Sequence, residues 1–122
     1  MILADTSVWI DHMRRREPEL VRQLQTGNVV MHPMVLGELA CGNISNRSEH
    51  LRDWGLLPRV EEAAHEEVLS LIESRQFMGR GMGFVDMHLL CAAIGHGVQL
   101  WTRDVQLRAA SVECGVSFTE TA

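Results

Sequence analysis

Short apolar runs alternate with longer stretches of helical periodicity along the whole chain. The runs fall at residues 1–4, 29–31, 98–101 and 116–118, and polar or glycine-containing segments separate them. Between the runs, apolar residues recur at spacings of three and four, which is typical of helices with one buried face. Strands that alternate with helices predict an α/β fold, with a central, mainly parallel β-sheet flanked by helices on both sides.

Capping and breaking residues bound most of the predicted helices. The helix after the first run is predicted to be capped by Thr6 or Ser7, and Pro18 and Pro33 occupy first-turn positions of the next two. Further helices are predicted over residues 48–54, 61–77, 85–95 and 105–110, with a glycine stop after the third of these. The pattern contains no repeat or linker, so the prediction is one domain over residues 1–122.

The helix predicted over residues 85–95 carries a carboxylate on its apolar face. Asp86 aligns with apolar residues at offsets of three, four and seven, namely Leu89, Leu90 and Ala93. Burial of a lone carboxylate is costly because its charge loses hydration. Asp86 therefore needs a cation, a proton or a hydrogen-bond donor close to it.

Three further acids occupy positions from which they could converge on Asp86. Asp5 ends the first strand, Asp104 begins the last helix, and Glu38 lies at the edge of a helical stripe. In open α/β sheets, ligands bind beyond the carboxyl ends of the strands. Taken singly, each of the three could be a turn, cap or surface residue. Together the four acids predict an all-oxygen site for Mg²⁺ or Mn²⁺, the ions that assist phosphoryl chemistry.

Composition and charge exclude several other classes of protein. The formal net charge is −5, so the protein is not expected to bind nucleic acid through its overall charge. The chain has no lysine, which excludes Walker-type phosphate loops and Schiff-base enzymes and makes a receiver-type phospho-acceptor domain remote. The six histidines lack ligand spacing and the three cysteines form no CxxC pair, so zinc is not indicated. No run approaches the roughly 18 apolar residues of a membrane span, and no signal peptide is recognisable, so the predicted location is cytoplasmic.

Four segments, taken in order, resemble a known family. They are ILADTSVWI at residues 2–10, PMVLGEL at 33–39, GFVDMHLLCAA at 83–93 and LWTRD at 100–104. Over essentially its whole length the chain resembles PIN-domain proteins, specifically the VapC-type toxins of type II toxin–antitoxin systems. The resemblance implies a PIN-like fold and a metal-dependent endoribonuclease. Asp5, Glu38 and Asp86 match the three acids that define the family's site, and Asp104 matches a fourth that varies more.

The resemblance also implies auxiliary residues and partners. Thr6 and Thr102 match positions that often carry a hydroxyl near the metal. Arg80 is predicted from its position alone to contact phosphate, because it lies in the glycine loop just before Asp86. The implied partners are a VapB-type antitoxin and an RNA substrate, with transfer RNA favoured over ribosomal RNA. The resemblance also implies a homodimer, and contact with DNA only indirectly, through the antitoxin. A PIN-like module that binds RNA or protein without cleavage remains the alternative, and the number of metal ions and Asp104's role as a ligand stay open.

Overall fold

A three-stranded parallel sheet lies at the centre of the fold. The computed structural model describes residues 1–120 of the chain. Strand β1 (Ile2–Ala4) lies between β2 (Val29–Val30) and β3 (Gln99–Trp101). Every residue of β1 is buried, which explains why its sequence is continuously apolar instead of alternating. The predicted α/β fold with a parallel sheet is confirmed.

The pairing of β1 with β3 brings the ends of these two strands to the same edge of the sheet. Ala4 lies opposite Trp101, and the N–H of Asp5 donates to the carbonyl of Trp101 at 2.9 Å. Because the strands run in parallel, the residues that follow them leave the sheet side by side. Asp5 and Thr102 are therefore neighbours although 97 positions separate them in the chain.

The last predicted strand is reduced to a single bridge. Leu100 pairs with Ser117 in parallel, and its N–H and carbonyl bond to Val116 and Phe118 at 2.7 and 3.0 Å. Residues 116–118 thus extend the sheet beyond β3 by one bridge only. The segment after this bridge, residues 119–120, returns toward the end of β3.

Seven helices account for most of the remaining described residues. They are α1 (Thr6–Arg14), α2 (Pro18–Gln25), α3 (Pro33–Ala40), α4 (Arg47–Gly55), α5 (His65–Arg75), α6 (Phe84–His96) and α7 (Val105–Glu113). Helices α1, α3 and α4 pack together, whereas α6 packs against α5, α7 and β3. None of the helices within residues 1–120 is long and apolar enough to cross a membrane.

Helix α5 is shorter than the sequence pattern predicts. Helical structure does not extend over residues 61–64, and α5 begins only at His65. The chain before it is extended because Val60 donates its N–H to the carbonyl of Met31 at 3.0 Å, beside the end of β2. The carbonyl of Glu61 lies 3.2 Å from Nε2 of His96. These long-range contacts hold the segment away from the helical conformation that its local sequence favours.

Helix α6 is buried on more than one side. Its buried residues are Met87, His88, Leu89, Leu90, Ala92 and Ala93. The helix ends at Gly97, which adopts a left-handed conformation with φ of 65° and donates to the last turn. Val98 then donates to the carbonyl of Ala93 at 3.0 Å, which satisfies another carbonyl of the last turn and turns the chain into β3. The predicted glycine stop is confirmed.

Two glycines at this end of α6 should respond oppositely to alanine. Gly97→Ala should lower the free energy of unfolding by about 1 kcal/mol, because the left-handed conformation strains a Cβ. Gly95→Ala should raise it by about 0.5–1 kcal/mol, because Gly95 is helical and no atom beyond its chain neighbours and the adjacent helix backbone lies within 4 Å of the added Cβ. Urea unfolding of both variants measures the difference. Equal effects of the two substitutions would contradict this account of the helix end.

Candidate active site

The four predicted acids lie on elements that meet at the carboxyl end of the sheet. Asp5 directly follows β1, and Asp104 follows β3 by three residues. Asp86 lies in the first turn of α6 and Glu38 in α3. Two hydroxyl side chains, that of Thr6 at the start of α1 and that of Thr102 directly after β3, link the segments that carry the acids.

Asp5 is buried and is held by hydrogen bonds on both carboxylate oxygens. Its side chain is 5% exposed. Oδ1 accepts the N–H groups of Ser7 and Val8 at 3.0 and 3.4 Å, so Asp5 caps α1. The hydroxyl of Ser7 also donates to Oδ1, and the hydroxyl of Thr102 donates to Oδ2. The predicted cap, Thr6 or Ser7, was wrong, because the acid itself reaches the free N–H groups of the first turn.

The same two hydroxyls tie Asp5 to the turn between β3 and α7. Thr102 Oγ1 accepts the N–H of Asp104 at 3.0 Å, and Ser7 Oγ accepts the N–H of Arg103 at 3.1 Å. Each hydroxyl therefore receives one backbone proton and donates its own proton to Asp5. Burial raises the pKa of Asp5, and the hydrogen bonds from Ser7 and Thr102 act in the opposite direction.

Ser7 contacts the acid site but is not among the site residues predicted from the sequence. Its position two residues after an acid at a strand end is compatible with an ordinary helix cap. Its second contact, with Arg103, spans 96 positions and depends on the pairing of β1 with β3. The D-x-S spacing alone carries no signal of that contact.

Thr6 connects Asp5's segment to Glu38. The hydroxyl of Thr6 donates to Oε1 of Glu38 at 2.5 Å. Glu38 itself is exposed on α3. Because Thr6 immediately follows Asp5, this bond fixes the direction of the Glu38 side chain relative to the buried acid.

Asp86 is half-buried, and the charges of Asp104 and Glu38 affect its pKa. Its Oδ2 accepts the N–H of Gly83 at 3.0 Å, which closes the first turn of α6. Burial raises the pKa of Asp86 most, and the negative charges of Asp104 and Glu38 raise it further. Three of the acids thus share one electrostatic environment. The hydrogen-bond donor that burial requires for Asp86 is the backbone of Gly83.

Asp104 has a structural role as well as a place among the acids. It caps α7, because its Oδ1 accepts the N–H of Leu107 at 2.9 Å. The side chain is exposed, unlike that of Asp5. Its backbone N–H bonds to Thr102, so Asp104 and Asp5 contact the same hydroxyl.

The acids are neighbours, but they do not form a finished metal site. In the described part of the chain, no three histidine, cysteine, aspartate or glutamate side chains are arranged to hold a metal ion. The donor set is nonetheless all oxygen, which suits Mg²⁺ or Mn²⁺ and not zinc. Burial, and after it the charges of Asp104 and Glu38, raise the pKa of Asp86, and a nearby cation would act in the opposite direction. The oxygen donors of these residues suit a hard cation. Their side chains would have to move closer together for three of them to bind the same cation.

The side chain of Arg80 forms an ion pair with Glu113. Its Nη1 and Nη2 lie 3.2 and 2.5 Å from the two carboxylate oxygens of Glu113, and its guanidinium lies 5.2 Å from the centre of the Phe77 ring. This contact joins residues 33 positions apart. The prediction that Arg80 contacts phosphate remains a prediction, and the structure pairs its charge with a carboxylate of α7.

Comparisons with known proteins bear on the family and the fold of this chain. The family model described as PIN domain matches residues 2–113, a span that contains all four acids. Ribonuclease VapC32, from two strains of Mycobacterium tuberculosis (CDC 1551 / Oshkosh and ATCC 25618 / H37Rv), is 44% identical over 121 residues, which cover 98% of each chain. The crystal structure of PAE2754 from Pyrobaculum aerophilum matches with a TM-score of 0.65 at 17% identity, over 93% of this chain and 94% of that one. This structural likeness shows the fold.

Replacement of Asp86 and of Asp5 by asparagine should change the free energy of unfolding in opposite directions. A raised folded-state pKa means that protonation of Asp86 stabilises the fold, and that this contribution is lost as pH rises through the raised pKa. Near neutral pH, Asp86→Asn should therefore raise the free energy of unfolding by about 0.5–1 kcal/mol, as is common where a functional site carries strain. Its amide oxygen can still accept from Gly83.

Asp5→Asn should instead destabilise the protein by about 1–2 kcal/mol, because an amide cannot accept from both Ser7 and Thr102 hydroxyls. Urea unfolding of both variants near neutral pH, without divalent cations, tests the pair. A stabilised Asp5→Asn variant would show that its hydrogen bonds do not compensate for burial.

Proposed function

Because the chain belongs to the PIN-domain family, and within it to the VapC-type ribonucleases, we propose that it is a metal-dependent endoribonuclease that acts as the toxin of a toxin–antitoxin pair. The observation that carries the proposal is the linkage of four carboxylates at one end of the sheet. Asp5 and Asp104 share the hydroxyl of Thr102, and Asp86 feels the charges of Asp104 and Glu38. The 44% identity to a protein named a ribonuclease supports the reaction class.

The proposed cofactor is Mg²⁺ or Mn²⁺, which Asp5 and Asp86 would hold together with Glu38 and Asp104. When bound, such an ion lowers the pKa of coordinated water and offsets the charge on phosphate oxygens. The fit rests on the oxygen donors and on the raised pKa values of Asp5 and Asp86. Whether one ion or two are bound depends on how far the exposed acids, Glu38 and Asp104, move inward.

The chain's own residues would orient the acids and the attacking water. Ser7 and Thr102 fix both oxygens of Asp5, so this carboxylate keeps one direction without substrate. Thr6 holds one oxygen of Glu38 and leaves the other to accept a hydrogen bond from water. Water adds to the phosphorus in line with the leaving 3′ oxygen, which departs as a hydroxyl. The products are 5′-phosphate and 3′-hydroxyl ends.

Substrate, partners and location are parts of the same proposal. We favour structured RNA, with transfer RNA ahead of ribosomal RNA, so that cleavage would inhibit translation and growth in the cytoplasm. A VapB-type antitoxin would neutralise the enzyme and would be its link to DNA, and the enzyme would form a homodimer. Four of the negative charges belong to the site itself, so the net charge of −5 does not oppose RNA binding elsewhere on the surface.

One observation favours a second candidate, a PIN-like module that binds RNA or protein without cleavage. In residues 1–120 the acids are not arranged as a ready metal site. Both oxygens of Asp5 are also engaged by protein donors. If the acids cannot move together, the protein would bind RNA and leave it intact.

Cleavage of RNA should require a divalent cation and the buried acids. With Mn²⁺ or Mg²⁺ the purified protein should cut RNA, and EDTA should stop it. Asp86→Asn and Asp5→Asn should each lower kcat/KM by a factor of at least about 10³, as is usual for loss of a group that acts in the transition state. Asp53→Asn, which removes an exposed carboxylate on α4, is the matched control and should retain activity.

Two results would separate the candidates. Persistent cleavage by both Asp86→Asn and Asp5→Asn would remove the acids from the mechanism. RNA binding by the antitoxin-free wild-type protein, with no cleavage under any divalent cation, would establish the non-cleaving module instead. A rise in the thermal midpoint with Mn²⁺ in the wild type, and a smaller rise in Asp86→Asn, would report metal binding without reference to activity.

Expression of the protein without an antitoxin should arrest growth. Asp86→Asn should relieve the arrest at equal protein level, because the variant remains folded while cleavage is lost. The measurement is colony formation after induction, with the amount of protein checked in the same cells. Equal toxicity of wild type and variant would show that arrest does not arise from nuclease action.

A further inference from the structure

A pocket outside the acid site lies beside the turn between β3 and α7, which holds Asp5. It has a volume of about 320 Å³, and the residues that matter here line it: Trp101, Thr102, Arg103, Arg108, Phe118 and Glu120. Thr102 belongs both to this pocket and to the acid site, because its hydroxyl donates to Asp5. The pocket and the acids are therefore connected through one residue of the turn between β3 and α7.

Arg108 is a cation with a fixed position in this pocket. Its Nη2 donates to the carbonyl of Thr102 at 3.1 Å. It lies one helical turn after Asp104, whose carbonyl accepts the backbone N–H of Arg108 at 2.9 Å. Within residues 1–120 no carboxylate lies at ion-pair distance from Arg108. Its guanidinium is held in place by a neutral acceptor, and its charge is not balanced by an acid.

The carboxylate of Glu120 occupies the other side of the pocket. Its Oε1 accepts from the indole N–H of Trp101 at 2.6 Å and lies 3.2 Å from Nη1 of Arg103. Arg103 is held from behind by Glu17, at 3.0 Å, and by Asp11, at 3.6 Å. Exchange of the Glu120 carboxylate for another singly charged oxyanion would leave this charge balance unchanged.

The remaining wall offers a surface suited to a nucleobase or ribose. The Phe118 and Trp101 rings lie 5.0 Å apart, centre to centre, at 51°. Aromatic rings beside arginines recur where proteins bind single-stranded RNA, since bases stack on rings while phosphates pair with guanidinium groups. Arg80 also lies beside an aromatic ring, that of Phe77, but Glu113 contacts both of its terminal nitrogens.

We propose that this pocket binds a backbone phosphate of the RNA strand that flanks the phosphodiester to be cleaved. The phosphate displaces the Glu120 side chain and is held by Arg108, Arg103 and the Trp101 indole N–H. The proposal rests on the proposed ribonuclease function. Glu120 acts as an internal competitor for the subsite, so the free protein binds RNA less tightly than the pocket allows.

Arg108→Ala tests the subsite through binding and not through chemistry. The variant should raise KM for RNA about tenfold with little change in kcat, because a phosphate contact outside the reacting group binds ground and transition states equally. Arg108→Lys should recover part of the loss, because it keeps the charge. Arg52→Ala is the matched control, since Arg52 is exposed on α4 and its only ion-pair partner within residues 1–120, Asp53, is 3.7 Å away.

Binding to an uncut strand provides an independent reading. In the Asp86→Asn background, the affinity for a short single-stranded RNA should fall with salt, and Arg108→Ala should reduce the slope of log K against log salt by about 0.7, the value for one phosphate contact. Glu120→Gln should tighten binding about threefold, because it removes the competing charge and keeps the side-chain shape.

The outcomes distinguish the subsite from the activity. If the wild type cleaves RNA while Arg108→Ala leaves KM and the salt slope unchanged, or lowers only kcat, the subsite is overturned and the proposed function stands. If the wild type does not cleave but its RNA binding depends on Arg108, the phosphate contact stands, whereas the nuclease function and the position of the pocket beside a cleaved bond are overturned. Weaker or unchanged binding by Glu120→Gln would overturn displacement of Glu120, and absence of RNA binding altogether would overturn both proposals.

Discussion

The site depends on two hydroxyl-to-carboxylate hydrogen bonds that hold Asp5 at the end of the central strand. Ser7 and Thr102 each accept a backbone N–H from the turn after β3 and donate to one oxygen of Asp5. Burial of this carboxylate without donors would cost several kcal/mol, so the pairing of β1 with β3 and the position of the acid stabilise each other. The same turn places Asp104 at the start of α7 and Arg103 and Arg108 in the adjoining pocket, so one connection organises both the acids and the proposed RNA contact.

Asp86, Asp104 and Glu38 are held close enough for their charges to interact, and within residues 1–120 no three acids are arranged to hold one ion. The pKa of Asp86 is raised by burial and by Asp104 and Glu38, which means that the ionised site costs stability near neutral pH. Such a cost is expected where a protein keeps charges together for function. Relief of that repulsion is the favourable contribution that a divalent cation would make, beyond its bonds to the individual carboxylates. Ser7 and Thr102 engage both oxygens of the buried Asp5, so the largest movements are left to the exposed acids, Glu38 and Asp104.

The arginines show how an acidic protein can still present positive charge to RNA. The chain has 11 arginines and no lysine, and several guanidinium groups are bound to carboxylates, as in Arg80 with Glu113 and Arg103 with Glu17. A paired arginine contributes little to a phosphate contact unless its partner leaves. Arg108 differs because a backbone carbonyl fixes it without neutralising it. If Glu120 is displaced, the two arginines of the pocket would act together, and the contact between Glu120 and Arg103 would set how readily RNA enters.

The sequence by itself determined the features that depend on neighbouring residues. Continuous apolar runs specified the buried parallel strands, helical periodicity specified α6, Gly97 specified where that helix ends, and acids at element boundaries indicated Asp5, Asp86 and Asp104. Only the tertiary structure decided the features that join distant segments. Asp5 accepts from Thr102, α5 begins late because Val60 bonds to Met31, and Arg80 pairs with Glu113. Periodicity and capping act over three or four residues, whereas these contacts span about 30 to 100 positions and exist only once the strand register has brought the segments together.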